Sequence, residues 1–259
     1  MTNPAEPMLH LNGGHIFIAG GSRGIGRETA RMAARAGAAV TINYVQAAEA
    51  ARTIVAEIET MGGHAYAVQA DLVKEGEAAR AVEAAVENLG PLTGMVISAG
   101  IFEPSPIEDM TTAFWDRTMD LNLKTTFQSV KAAVPHLRAA GNGGSIVIYT
   151  STAGQRGSSV YSAYATSKGA QIMFMRSMAR ELAPDRIRVN CVAPGWTDTD
   201  MSRDAMDAEG RDGIEAAIPL GRIGRPEDPA GAALYLLSNL AVFVTGCTIT
   251  VDGGFDMRG

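Results

Sequence analysis

The most constraining feature of this chain is the alternation of short apolar runs with longer segments of helical period. "HIFIAG" (residues 15–20), "AAVTINY", "HAYAVQAD", "TGMVISAG", "GSIVIYTS", "IRVNCVAPG" and "CTITVDGG" read as seven strands. Between them apolar residues recur at helical spacing, as at Ala50, Ile54, Ile58 and Met61 before the stop signal Gly62-Gly63. A helical stretch is expected from about Ile25 to Ala36, another over 108–139 and another over about 161–183. Strands that are each followed by a helix pair in parallel, with helices covering both faces of the sheet. The fold class expected is α/β: one doubly wound domain with a seven-stranded parallel sheet.

Ligands of such sheets bind beyond the C-terminal ends of the strands, so the residues that follow each strand carry the functional information. After the first strand, "GGSRGIG" sets Gly20, Gly24 and Gly26 at Gly-x-x-x-Gly-x-Gly spacing. The Gly-Lys-Ser/Thr ending of a nucleotide-hydrolysing loop is absent, but glycines allow a tight turn and the next helix offers its first amides to a pyrophosphate. Further on, "YSAYATSK" (161–168) places Tyr164 four residues before Lys168, one of only four lysines in the chain. On a helix that step puts both side chains on one face. A cation beside a phenol favours the phenolate, which makes a proton donor with its pKa brought toward the working pH.

Composition removes other classes. A net charge of −6 argues against nucleic acid as the main partner. The two cysteines, Cys191 and Cys247, sit in apolar strand-like runs and form no disulfide framework, and the four histidines show no metal-ligand spacing, so no metal is expected. The run "LYLLSNLAVFVTGCTITV" from Leu234 is interrupted by Ser238, Asn239 and Gly246, so helix, turn and strand explain it better than a membrane span. The first residues lack the basic head and apolar run of a signal peptide, and a cytoplasmic location is expected.

Taken in order, "GGSRGIG", "SAG" (98–100), Asn122, "STAGQRGSSVYSAY", "YATSK", "VNCVAPG" and "ITVDGG" resemble the short-chain dehydrogenase/reductases, over nearly the whole chain from about residue 12. The resemblance implies a single Rossmann-type catalytic domain, 12–259, after an N-terminal extension of residues 1–11. It also implies a homotetramer or homodimer and a bound nicotinamide dinucleotide. Tyr164 would protonate a carbonyl oxygen while the cofactor delivers hydride to its carbon. Lys168 would lower the pKa of that tyrosine and hold the nicotinamide ribose, and Ser151 would hold the carbonyl oxygen as an oxyanion donor. Asn122 would anchor a water joining Lys168 to solvent. A serine hydrolase is excluded, because no Gly-x-Ser-x-Gly elbow surrounds Ser151. Two departures stand out: Ala19 replaces the family's usual threonine, and Ile97-Ser98 replaces a pair of asparagines. Those polar groups tie the first and fourth strands together, so their loss implies a differently packed central sheet.

For the cofactor, the expected contacts are Gly20, Ser22, Arg23, Gly24, Ile25 and Gly26 in the loop, Asn43 and Tyr44 after the second strand, and Asp71 and Leu72 after the third. Ala99 and Gly100 follow the fourth strand, and Pro194, Gly195, Thr197 and Thr199 face the nicotinamide end beside Tyr164 and Lys168. An acid at the end of the second strand would bind the ribose hydroxyls of NAD. Here the strand ends in Asn43-Tyr44, with no carboxylate before Glu49, while Arg23 can meet a 2′-phosphate. NADP(H) is therefore expected over NAD(H), with reduction as the working direction. Candidate substrate residues are Ile101, Phe102, Thr152, Ala153, Gln155, Tyr161 and Trp196, under a lid at about 196–218 that includes Met201, Met206, Ile214 and Ile218. They imply a small or medium apolar ketone reduced to a secondary alcohol. A 3-oxoacyl-carrier-protein or CoA reductase is the alternative of the same class, and a non-catalytic NADP-binding sensor or scaffold that of another.

Overall fold

In the computed structural model, which describes residues 9–257, β1 (His15–Ala19) is buried at all five positions. Burial on both faces marks a central parallel strand. Phe17 and Ala19 enter one apolar layer, Ile16 and Ile18 the other. α1 (Gly24–Arg35) then leads to β2 (Ala39–Tyr44), α2 (Ala48–Thr60) to β3 (Ala65–Gln69), and α3 (Glu77–Leu89) to β4 (Gly94–Ile97). α4 (Thr112–Met119), a π-helical turn (Asp120–Lys124) and α5 (Thr125–Ala139) precede β5 (Gly144–Tyr149). A short α6 (Ala153–Arg156) and α7 (Ser162–Glu181) precede β6 (Ile187–Pro194). Finally α8 (Arg203–Glu209), α9 (Arg211–Ala217) and α10 (Glu227–Leu237) precede β7 (Thr248–Val251).

The seven strands form one sheet in the order β3-β2-β1-β4-β5-β6-β7, and every pairing is parallel. Residues of α3, α5 and α7 build the core on one face, and those of α1, α2 and α10 the core on the other. The strand order reverses between β1 and β4, which opens a crevice at their C-terminal ends. This is the expected doubly wound sheet.

Four expectations change. The helical region read as 108–139 begins only at Thr112, where the Thr111 hydroxyl caps the Phe114 amide at 3.1 Å. The loss of polar groups at Ala19 and Ser98 does not alter the central sheet: Ala19 pairs with Ile97, and Ser98 N donates to Ala19 O at 2.9 Å. Main-chain pairing suffices there, because the ladder itself satisfies the buried amides. Of the residues read as an extension, 1–8 lie outside the described residues, whereas Leu9 and Leu11 pack against the core beside α1. In the expected lid, Met206, Ile214 and Ile218 do not face the cleft. They form a small core of their own with Ile223, against which Trp196 and Phe255 pack.

Candidate active site

A cleft of about 570 Å³ opens at the C-terminal ends of the strands. The glycine turn forms its floor. Gly20 takes φ +75°, and a side chain there would meet Ala99 at 2.8 Å; one on Gly26 would collide with the Gly20 carbonyl oxygen. The start of α1 therefore lies directly on the turn, as close approach to a phosphate requires. Arg23, in the N-cap position, is extended and makes no side-chain cap, and the first turn of α1 carries no acidic residue. The positive end of α1 and its first amides thus face the cleft without an internal anion. That is the chemistry of a pyrophosphate seat, and it fits a dinucleotide.

Gly20, Ser22, Arg23, Gly24 and Ile25 line the cleft, as do Tyr44, Asp71, Ala99 and Gly100. Pro194, Gly195, Thr197 and Thr199 line it as well, with Thr199 directly against Gly24 of the turn. Gly26 and Leu72 do not line it: Gly26 packs beneath the turn and Leu72 is buried in the core. Asn43 borders the cleft, and its side chain points into the protein, where Nδ2 donates to Ala70 O at 3.0 Å and Oδ1 accepts from Gly20 N at 3.4 Å. Alternation along β2 turns Asn43 inward, toward the glycine turn, and leaves Tyr44 the partly exposed residue at the strand end.

α7 brings Tyr164 and Lys168 onto one face, with the Lys168 nitrogen 5.7 Å from the Tyr164 ring centroid. β5 delivers Ser151 to the same place, where its hydroxyl accepts from Ala153 N at 3.1 Å and stands near the Tyr164 phenol. α6 fixes the approach, because Gly154 lies so close to α7 that an added Cβ would meet the Lys168 carbonyl carbon at 2.6 Å. Lys168 Nζ donates to Tyr149 O at 2.8 Å. The expected lowering of the tyrosine pKa is reversed. Burial pushes Tyr164 up to about 12 despite the neighbouring Ser151 hydroxyl, and burial brings Lys168 down to about 8. Loss of water outweighs the attraction of a cation that is itself desolvated.

Asn122 sits in the π-helical turn, which directs its amide toward the residue that follows Gly100. Its Oδ1 accepts from Ile101 N at 2.7 Å, and its Nδ2 donates to Ile101 O at 3.1 Å and to Ser167 Oγ at 2.9 Å. The Asn122 carbonyl oxygen receives Thr126 Oγ1 at 2.8 Å and Gln171 Nε2 at 3.0 Å. Asn122 therefore ties the β4 end to α7 and makes no direct contact with the lysine.

Phe102, Trp196 and Met201 also line the cleft, joined by Arg156, Ser158 and Phe255, which the motifs did not reveal. Tyr161 stands behind this wall, stacked on Phe102 with ring centroids 4.2 Å apart. Phe102 in turn meets Tyr164 edge-on at 4.8 Å. Tyr149 also escaped the sequence reading. The available signal was a tyrosine in an otherwise aliphatic buried strand, whose polar tip must find a partner.

A Rossmann-type sheet with such a cleft at its switch point defines the dinucleotide-binding class of α/β proteins. The family model described as enoyl-(acyl carrier protein) reductase matches residues 19–256. The chain belongs to the short-chain dehydrogenase/reductase family. An L-rhamnose 1-dehydrogenase (NAD(P)(+)) from a Sphingomonas species is 39% identical over 248 residues, covering 95% of this chain and 98% of that protein. A 3-oxoacyl-[acyl-carrier-protein] reductase from a Synechocystis species is 37% identical over 251 residues, covering 96% of this chain and 100% of that protein. Among solved structures, a short-chain type dehydrogenase/reductase from Mycobacterium ulcerans superposes with a TM-score of 0.90 at 35% identity, covering 95% of this chain and 91% of that one.

Proposed function

We propose that this protein is an NADP(H)-dependent reductase of small or medium apolar ketones, with Tyr164 as the proton donor. The observation that carries this reading is the buried Tyr164 phenol beside Lys168 and Ser151 in the cleft, at the foot of an aromatic wall. The Ser151 hydroxyl holds the carbonyl oxygen and stabilises the charge that develops on it. Tyr164, kept protonated by burial, gives its proton to that oxygen. When bound, the nicotinamide supplies the hydride that reduces the carbonyl carbon. Lys168 keeps positive charge beside the phenol as it loses its proton, and Asn122 fixes the strand end on which Ile101 and Phe102 begin.

Preference for NADP(H) over NAD(H) follows from Arg23, which is exposed on the cleft rim, and from Tyr44 at the place where an acid would repel a 2′-phosphate. Family kinship and the exposed Phe127 and Met173 on α5 and α7 support assembly as a homotetramer or homodimer. Among the described residues no helix is long and apolar enough to cross a membrane, in keeping with a cytoplasmic enzyme. A second reading, reduction of 3-oxoacyl thioesters, is favoured by the Synechocystis relative and by Arg156, an exposed cation on the cleft.

The test is oxidation of NADPH, beside NADH, by the purified protein against free ketones and 3-oxoacyl thioesters, with aldoses assayed in the oxidative direction. Faster turnover of apolar ketones with NADPH is expected. A clear preference for thioesters or aldoses overturns the substrate class, and cofactor binding without any turnover supports a sensor instead.

A further inference from the structure

Tyr149 closes β5 with a phenol buried in the layer beneath α1 and α10. Its hydroxyl lies 2.8 Å from Thr29 Oγ1 on α1 and 3.3 Å from Pro229 O on α10. Thr29 donates to Ile25 O at 2.7 Å, within the turn of α1 that seats the phosphates. Two hydroxyl protons serve these contacts in either of two orders: Thr29 donates to Ile25 and the phenol to Thr29, or Thr29 donates to the phenol and the phenol to Pro229. The carbonyl of the same Tyr149 receives the Lys168 ammonium at 2.8 Å. Apolar packing alone does not call for a tyrosine here, since Val147, facing the same layer two residues earlier, is aliphatic. A buried phenol costs stability unless it is hydrogen-bonded, and here it is bonded to the helix that carries the cofactor turn.

We propose that Tyr149 is a positioning residue that seats Lys168 relative to the phosphate turn of α1. Its phenol pins the end of β5 to Thr29 and Pro229, and its carbonyl then holds the lysine in place. This rests on the roles proposed above for Lys168 and for the start of α1. The titratable groups facing Lys168 are Tyr164 on its own helix and Cys191 on β6, both kept protonated by burial, which pushes each up to about 12. The Tyr149 carbonyl is thus the dipole that supports the charged lysine, and displacing it weakens the ammonium form.

The experiment breaks the link from either side with Tyr149→Phe and Thr29→Val, while Thr29→Ser keeps the hydroxyl. Acylation of Lys168 in the cofactor-free protein is followed against pH by peptide mapping, which a chain of four lysines makes resolvable. In both breaking variants the midpoint is expected to fall by about half a unit or more, and the double variant to add little to either single one. NADPH affinity is expected to weaken roughly three- to tenfold, and Thr29→Ser to match the unaltered protein. An unchanged midpoint, or losses that simply add, overturns the proposal and leaves Tyr149 as core packing. If Tyr149→Phe fails to fold, Thr29→Val, nearly the same in shape, decides alone. Because acylation needs no substrate, absence of ketone turnover in the unaltered protein would count against the proposed function and not against this link.

Discussion

The rings of Phe102 and Tyr161 lie face to face, with centroids 4.2 Å apart and planes 10° from parallel. Phe102 follows β4 and Tyr161 caps the start of α7, so this contact joins two loops beside the cleft. With the edge of Phe102 against Tyr164, the wall and the proposed acid are one packed unit. An aromatic pair of this kind is worth about 0.5–1.5 kcal/mol beyond its buried area. Phe102→Ala should therefore lower kcat/KM for apolar ketones roughly tenfold, measured at saturating NADPH. An unchanged value would mean that substrate does not touch this wall.

Tyr164→Phe keeps the ring and removes the proton. Turnover should fall at least about 100-fold, while NADPH affinity, read from cofactor fluorescence, stays nearly the same. Retained reductase activity would reassign the acid.

Cofactor choice should respond at Tyr44 and not at Asn43. Arg23→Ala should weaken NADPH more than NADH, and Tyr44→Asp should shift preference toward NADH by placing a carboxylate against the 2′-phosphate. Asn43→Asp should instead destabilise the fold by about 2 kcal/mol, because it exchanges a donor to Ala70 O for an acceptor. Thermal melts and the two dissociation constants separate these outcomes.

Lys168 sets a pH window. Its pKa falls from 10.5 to about 8 on folding, so between those values the unfolded chain binds more protons and stability rises with pH. Below about 8 the full cost of the buried ammonium is present. Lys168→Met should abolish the rise, seen as denaturant midpoints that no longer climb between pH 8 and 10.5. The reductase rate of the unaltered protein should decline above about pH 8, where Lys168 loses its charge while Tyr164, at about 12, keeps its proton.

Val160 is held at φ +55°, a left-handed conformation unusual for a β-branched residue, and its carbonyl oxygen accepts from Ser105 N at 2.7 Å. This link runs beside the Phe102–Tyr161 stack. Left-handed backbone costs a side chain about 1–2 kcal/mol, and the greater freedom of glycine when unfolded returns about 0.5–1 of that. Val160→Gly should thus raise stability by roughly 0.5–1 kcal/mol in chemical denaturation. A loss of stability would show that the Val160 side chain contributes packing which outweighs the strain.

Much of the fold was legible because it rests on local signals. Strands such as β1 are apolar over "IFIA" (16–19) and helices such as 48–60 carry their own period and stop, so each element can be read without its neighbours. α6, α8 and α9 were missed because helices of four to seven residues carry too few turns to show a period. Tyr164 and Lys168 were legible because a four-residue step on one helix fixes their neighbourhood. Ser151 was legible only through the family resemblance, because it is β5, α6 and the glycine contact with α7 that bring it beside Tyr164.

The sequence by itself determined the doubly wound sheet, the glycine turn at its switch point and the Tyr164–Lys168 pair, since all three follow from short-range spacing. Only the tertiary structure decided that Asn43 turns inward and Tyr44 outward, that Tyr161 buttresses Phe102, and that Met206, Ile214 and Ile218 close a small core away from the cleft. It also decided the sign of the tyrosine shift. Spacing shows which charge stands near which phenol, but how far each is withdrawn from water depends on segments far apart in the chain, and here desolvation prevails.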